Sequence, residues 1–160
     1  MIPALRRFLL ALTAAGLATP GFAANPEGLW WAEGGSARVE IGRCGEGLCG
    51  QVVWLRSPMD EFGCAVRDDQ NPDPGLRTRG MVGIQLLRGL HPSPTDPDEW
   101  AGGSIYDPTS GRTYSAVIRL DGQDRLHVRG FLGFRLLGRS TIWNRVQPAS
   151  AAAAQCREPA

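Results

Sequence analysis

From residue 28 to residue 146 this chain carries short strand-like runs punctuated by tight-turn signals, and no other feature limits its fold as strongly. Residues 28–32, 37–43, 50–55, 100–106, 113–120, 125–129 and 139–146 each read as a strand. Ala37, Val39 and Ile41 alternate with Arg38, Glu40 and Gly42, the two-residue period of a half-buried strand. Tyr114, Ala116, Ile118 and Leu120 fall on one face in the same way. Asp107-Pro108-Thr109-Ser110-Gly111 and Asp121-Gly122-Gln123-Asp124 carry the residues that tight turns require. Residues 81–90 fit a strand with a short helical turn nearby. The expectation is an all-β chain of about eight strands in an antiparallel up-and-down meander. Such a meander can close into a small barrel, which removes its edges and leaves room inside for one small ligand at most. A two-sheet sandwich is the alternative arrangement.

The first 23 residues read differently. Arg6 and Arg7 precede an apolar run over residues 8–18, too short to span a bilayer, and Pro20-Gly21 breaks it. Gly21 and Ala23 are small residues at the positions a signal peptidase reads. Residues 1–23 are therefore expected to be a signal peptide cleaved after Ala23, with residues 24–147 forming the barrel domain and 148–160 an Ala-rich tail. No Cys follows the apolar run, so no lipid anchor is expected, and no later stretch is long or apolar enough to span a membrane. The protein is expected to be periplasmic or secreted. The part after residue 23 has 15 Arg, no Lys and 16 acidic residues, a net charge of −1. A near-neutral domain without a basic stripe is not built for nucleic acid.

Export permits disulfides. Cys44-Gly-Glu-Gly-Leu-Cys49 lies between two strand-like runs, a spacing that brings both thiols within reach of each other. A metal site would need more thiol or imidazole ligands close by, and His91 and His127 are remote in sequence. Cys64 in a long loop and Cys156 in the tail remain; parity suggests that they pair, although four cysteines allow three connectivities.

The ends of the barrel carry a resemblance. Gly28-Leu29-Trp30, with Arg145 on the final strand, is similar to the short signature of the lipocalins and the wider calycins. The resemblance implies that Trp30 plugs one barrel end and that Arg145 packs across it and bonds to backbone. A second resemblance covers nearly the whole domain. GLWW, ARVEIGRCGEGLCGQVVWL, DDQNPDPGLRTRGMVG, GGSIYDPTSGRTYSA, RLHVRGFLGFRLLGRSTIW and NRV resemble the bacterial secreted family called domain of unknown function 2147. It implies an exported lipocalin-like barrel with no established activity and no catalytic residues to carry over. The family's R-P-L-x-G reads Arg79-Gly80-Met81-Val82-Gly83 here.

Candidates for chemistry are sparse. Asp69, Asn71 and Asp73 stand at alternate positions, as at the start of a calcium loop, but no Glu closes the pattern and Pro72 and Pro74 stiffen it. Asx-turns account for the same residues. Asp60, Glu61, Asp68 and Asp69 could supply paired carboxylates, yet neighbouring acids are common on surfaces. No G-x-S-x-G elbow, P-loop or H-E-x-x-H appears. The chain is thus read as a non-enzymatic binder with no cofactor or metal. Val39, Ile41, Val53, Ile118, Leu126 and Val128 are expected to wall the interior around an apolar or amphipathic molecule. The loop over residues 56–80 is expected at the mouth, where Arg77 and Arg79 could meet an anionic head. The alternative is an envelope structural or interaction protein whose interior is filled by side chains.

Overall fold

A computed structural model describes residues 25–147 of the chain; the leader over residues 1–23 and the tail with Cys156 lie outside the described residues. Eight strands follow in order: β1 Gly28–Trp31, β2 Ala37–Cys44, β3 Gly47–Leu55, β4 Gln85–Pro92, β5 Glu99–Asp107, β6 Arg112–Asp121, β7 Arg125–Phe131 and β8 Gly138–Arg145. Each pairs antiparallel with its chain neighbours, and β1 pairs with β8 to close the barrel. The meander closes rather than splitting into a sandwich.

The alternation read from the sequence sets which side chains point inward. Trp30, Val39, Leu87, Leu90, Ile118 and Leu126 are all fully buried and form the centre of the core. Taking six large apolar side chains of this kind from water contributes roughly 1.5–3 kcal/mol each. One irregularity corrects the sequence reading. Arg38 pairs with Trp54 but Val39 pairs with Val52, so Val53 is an extra residue, a β-bulge. Val52 points into the core, whereas Val53 is 37% exposed on the outside and walls no interior. The bulge leaves Trp31, Arg38 and Trp54 in one outward row across three strands, with the Arg38 guanidinium 4.3 and 5.0 Å from the two indole rings.

Cys44 and Cys49 form a disulfide with a Cα separation of 5.8 Å. The hairpin turns more tightly than the four-residue spacing suggests. Cys44 pairs with Gly47 and Cys49 with Gly42, so only Gly45 and Glu46 make the turn and the bridge runs diagonally across the ladder.

Alternate connections of an up-and-down barrel gather at the same end. The long β3–β4 loop therefore sits at one end with the β1–β2, β5–β6 and β7–β8 connections. Chain entry at Asn25, the Cys44–Cys49 hairpin and the β6–β7 turn sit at the other.

Candidate functional site: the mouth of the barrel

The two ends differ in what fills them. At the entry end Trp30 is fully buried, and its indole Nε1 donates to the carbonyl of Pro26 at 2.9 Å. The Arg145 guanidinium stacks on the ring and donates to the carbonyls of Gln123, Glu27 and Asn25 at 2.6, 2.8 and 2.9 Å. A planar group with five donors suits this task, because each carbonyl left unpaired would cost free energy.

Toward the other end the inward row of β7 loses bulk, and on β8 Trp143 gives way to Thr141 before Arg139 at the rim. The β7 row runs Leu126, Val128, Gly130. A Cβ on Gly130 would stand 3.0 Å from Ile105, so even this small residue is close to its neighbours. The space that remains is a cavity of about 590 Å³ at the open end. Leu86, Ile105, Val128, Phe131 and Trp143 supply apolar wall, and Tyr114 and Thr141 supply hydroxyls. At the rim Arg139 meets Glu33 of the β1–β2 connection at 2.9 Å.

Of the residues expected to wall a ligand, Val128 lines this cavity. Val39, Ile41, Ile118 and Leu126 are buried in the packed half of the interior, beneath it. Arg77 and Arg79 do not line the cavity. Arg77 Nε donates to the carbonyl of Asn71 at 2.8 Å, and Arg79 donates twice to Asp68 Oδ2, at 2.7 and 2.9 Å. Both are spent inside the long loop, which corrects their assignment to an anionic head. Arg139, on the far side of the barrel, holds the rim position instead.

Asp68 is the hub of that loop. Its carboxylate is completely shielded from solvent and accepts from Tyr106 Oη at 2.6 Å and Asn71 Nδ2 at 2.7 Å besides Arg79. Burial pushes its pKa up, but the Tyr106, Asn71 and Arg79 bonds and the Arg79 charge outweigh this and hold it below the ordinary range. Burial and the adjacent Asp68 carboxylate raise the Tyr106 phenol in turn. Tyr106 also lines the cavity, so this latch fixes part of the wall. The loop presses on the β5–β6 turn so closely that a Cβ on Gly111 would lie 1.8 Å from the carbonyl oxygen of Gln70.

The acidic run does not converge on a point. Asn71 Oδ1 accepts from the amide of Asp73 and Asp73 Oδ1 from that of Gly75, both Asx-turns. Asp60 likewise caps the amides of Phe62 and Cys64. Among the described residues no three His, Cys, Asp or Glu side chains gather as a metal site would need.

A closed eight-stranded antiparallel meander with one sealed end and one open end is a lipocalin-like barrel. The chain belongs to the family described as "Uncharacterized protein conserved in bacteria (DUF2147)", which matches residues 28–145. Among solved structures it is similar to the Helicobacter pylori protein HP1028, described as belonging to the lipocalin family. The TM-score is 0.66 at 19% identity, covering 78% of this chain and 84% of that one. At that identity the likeness speaks for the fold alone. No curated protein matches the sequence.

Proposed function

We propose that this protein is exported and carries a small apolar or amphipathic molecule in the mouth of its barrel. The observation that supports the reading is the loss of inward bulk along Leu126, Val128 and Gly130 on β7 and from Trp143 to Thr141 on β8, which leaves about 590 Å³ open over a packed floor. Small-ligand sites measure roughly 300–1,000 Å³ and combine apolar walls with a few polar groups. Ile105, Val128 and Trp143 would hold the body. Arg139 would exchange Glu33 for an anionic head, or the hydroxyls of Tyr114 and Thr141 would hold a neutral one.

The Cys44–Cys49 disulfide supports a place outside the cytoplasm, and no helix among the described residues is long and apolar enough to cross a membrane. N-terminal sequencing of the exported protein tests that placement, with Ala24 as the expected first residue.

Binding is tested by calorimetric titration with dodecanoate and hexadecanoate, beside native mass spectrometry and organic extraction of the exported protein. Saturable binding at one site, weakened by Thr141→Phe, supports carriage. No binding at about 1 mM ligand and no extracted molecule would leave the structural or interaction role as the better reading. The packed floor of the barrel speaks for that second reading.

A further inference from the structure

The β7–β8 connection is built unlike the other turns. Within Leu132-Gly133-Phe134-Arg135-Leu136-Leu137 the four large apolar side chains are 57%, 75%, 91% and 69% exposed. Leaving that much apolar surface in water is unfavourable unless something covers it. The loop is braced in this form rather than slack. Arg129 Nε donates to the carbonyl of Arg135 at 2.8 Å, its Nη1 to Ser140 Oγ at 2.7 Å, and its Nη2 to the carbonyls of Arg135 and Leu136. Leu132 and Leu137 amides donate to the carbonyls of Leu137 and Phe134. With these backbone groups already paired, the tip can leave water without stranding them.

We propose that the open end of the barrel docks on an anionic lipid bilayer, with Leu132, Phe134, Leu136 and Leu137 entering the interface. This rests on the carriage reading and adds to it the source of the ligand. Three observations favour a bilayer over other occupants. First, charge: Arg129, Arg135 and Arg139 stand at the tip end of a hairpin whose residues 125–145 hold no Asp or Glu, and lipid phosphates would replace Glu99 and Glu33, the surface partners of Arg135 and Arg139. Apolar tips flanked by arginines are what the headgroup region of an anionic leaflet accepts, the aliphatic stems lying along the chains and the guanidinium groups among phosphates. Second, continuity: Leu132 and Leu137 also line the cavity, so its apolar wall runs unbroken onto the tip. A lipid could pass from the bilayer to the cavity along that wall without crossing water. Third, access: the described chain ends at Asn25 and Gln147 are tied to Arg145 and Asp124 at the opposite end of the barrel, which leaves the open end clear of them.

The experiment uses the mature protein with sedimented vesicles of phosphatidylglycerol and phosphatidylethanolamine, and of phosphatidylcholine alone. The variant is Phe134→Ser/Leu136→Ser, two residues outside the cavity lining. The expected result is sedimentation with the anionic vesicles, weaker sedimentation with the neutral ones, and a drop of about tenfold or more for the variant. Dodecanoate affinity of the variant should stay within about twofold of the wild type, since the cavity is intact. Wild-type protein that remains in the supernatant with both vesicle types overturns the proposal, as does a variant that sediments like the wild type. A concentration-dependent dimer abolished by the variant, with no sedimentation, assigns the tip to a second copy and also overturns it. Sedimentation without dodecanoate binding keeps the docking and removes the carriage reading.

Discussion

The guanidinium of Arg145 lies 4.2 Å from the ring centre of Trp30 and reaches past it to three carbonyls, so one side chain of the last strand seals the end opened by the first. Trp30→Ala should cost roughly 3–5 kcal/mol, because a fully buried indole is replaced by a cavity. Arg145→Met should cost about 1–3 kcal/mol, leaving carbonyls unpaired while keeping much of the packing. Urea unfolding of both variants measures the difference. A Trp30→Ala loss below about 1 kcal/mol would mean that the floor collapses to fill the space.

The disulfide closes a loop with a sequence separation of 5. A loop that short removes little entropy from the unfolded chain, about 2 kcal/mol by the loop-closure relation. The Cys44→Ser/Cys49→Ser variant should therefore fold, with a lower melting temperature and the same circular dichroism spectrum. Complete loss of folding would show that the bridge does more than restrain the hairpin.

The Asp68 latch should resist acid. Its carboxyl is held below the ordinary Asp value of 3.8, so its contribution to stability is present above that pH. It is lost progressively as pH falls through the lower value of the folded state. Hydrogen exchange of residues 66–80 should stay slow at neutral and mildly acidic pH and quicken only below that range. Tyr106→Phe removes one of the bonds that lower the pKa, so release should move to higher pH. Asp68→Ala should cost about 2 kcal/mol and open the loop at neutral pH.

Thr141→Phe should fill the cavity with a destabilisation of less than about 1.5 kcal/mol, since the position faces open space. Ligand affinity should fall by about tenfold or more if the molecule sits between β7 and β8. Calorimetry on a variant with an unchanged melting curve separates this from misfolding.

The strands and their order were legible because period-two alternation and Gly- or Asp-bearing turns are local signals. Residues 113–120, for example, state their inward face outright. The bulge was not legible, since nothing in residues 50–55 says which of two consecutive apolar residues gains the extra step. Alternation alone puts Val53 inside, whereas it is Val52 that packs there. The roles of Arg77 and Arg79 were hidden for another reason. Their partners depend on how a long loop folds against β5, through Asp68 and Tyr106, which are 38 residues apart. The cavity could have been sought in the sequence Leu126, Val128, Gly130, where inward bulk declines. Its meaning depends on knowing which end of β7 is open.

The seam between β1 and β8 consists of Trp30 against Arg145 and Trp31 against Asn144, while every other neighbouring pair is consecutive in the chain. Six of the seven consecutive pairings are joined by short connections and can zip as the polypeptide lengthens, each repaid at once by local contacts, while β3 and β4 must first close the long loop between them. The ring cannot shut until its final strand exists. Up to that moment the growing sheet offers two raw hydrogen-bonding edges, open to strands of any other chain. A copy ending before β8 would keep them permanently. It would act as a template for polymerisation rather than as a weakened monomer.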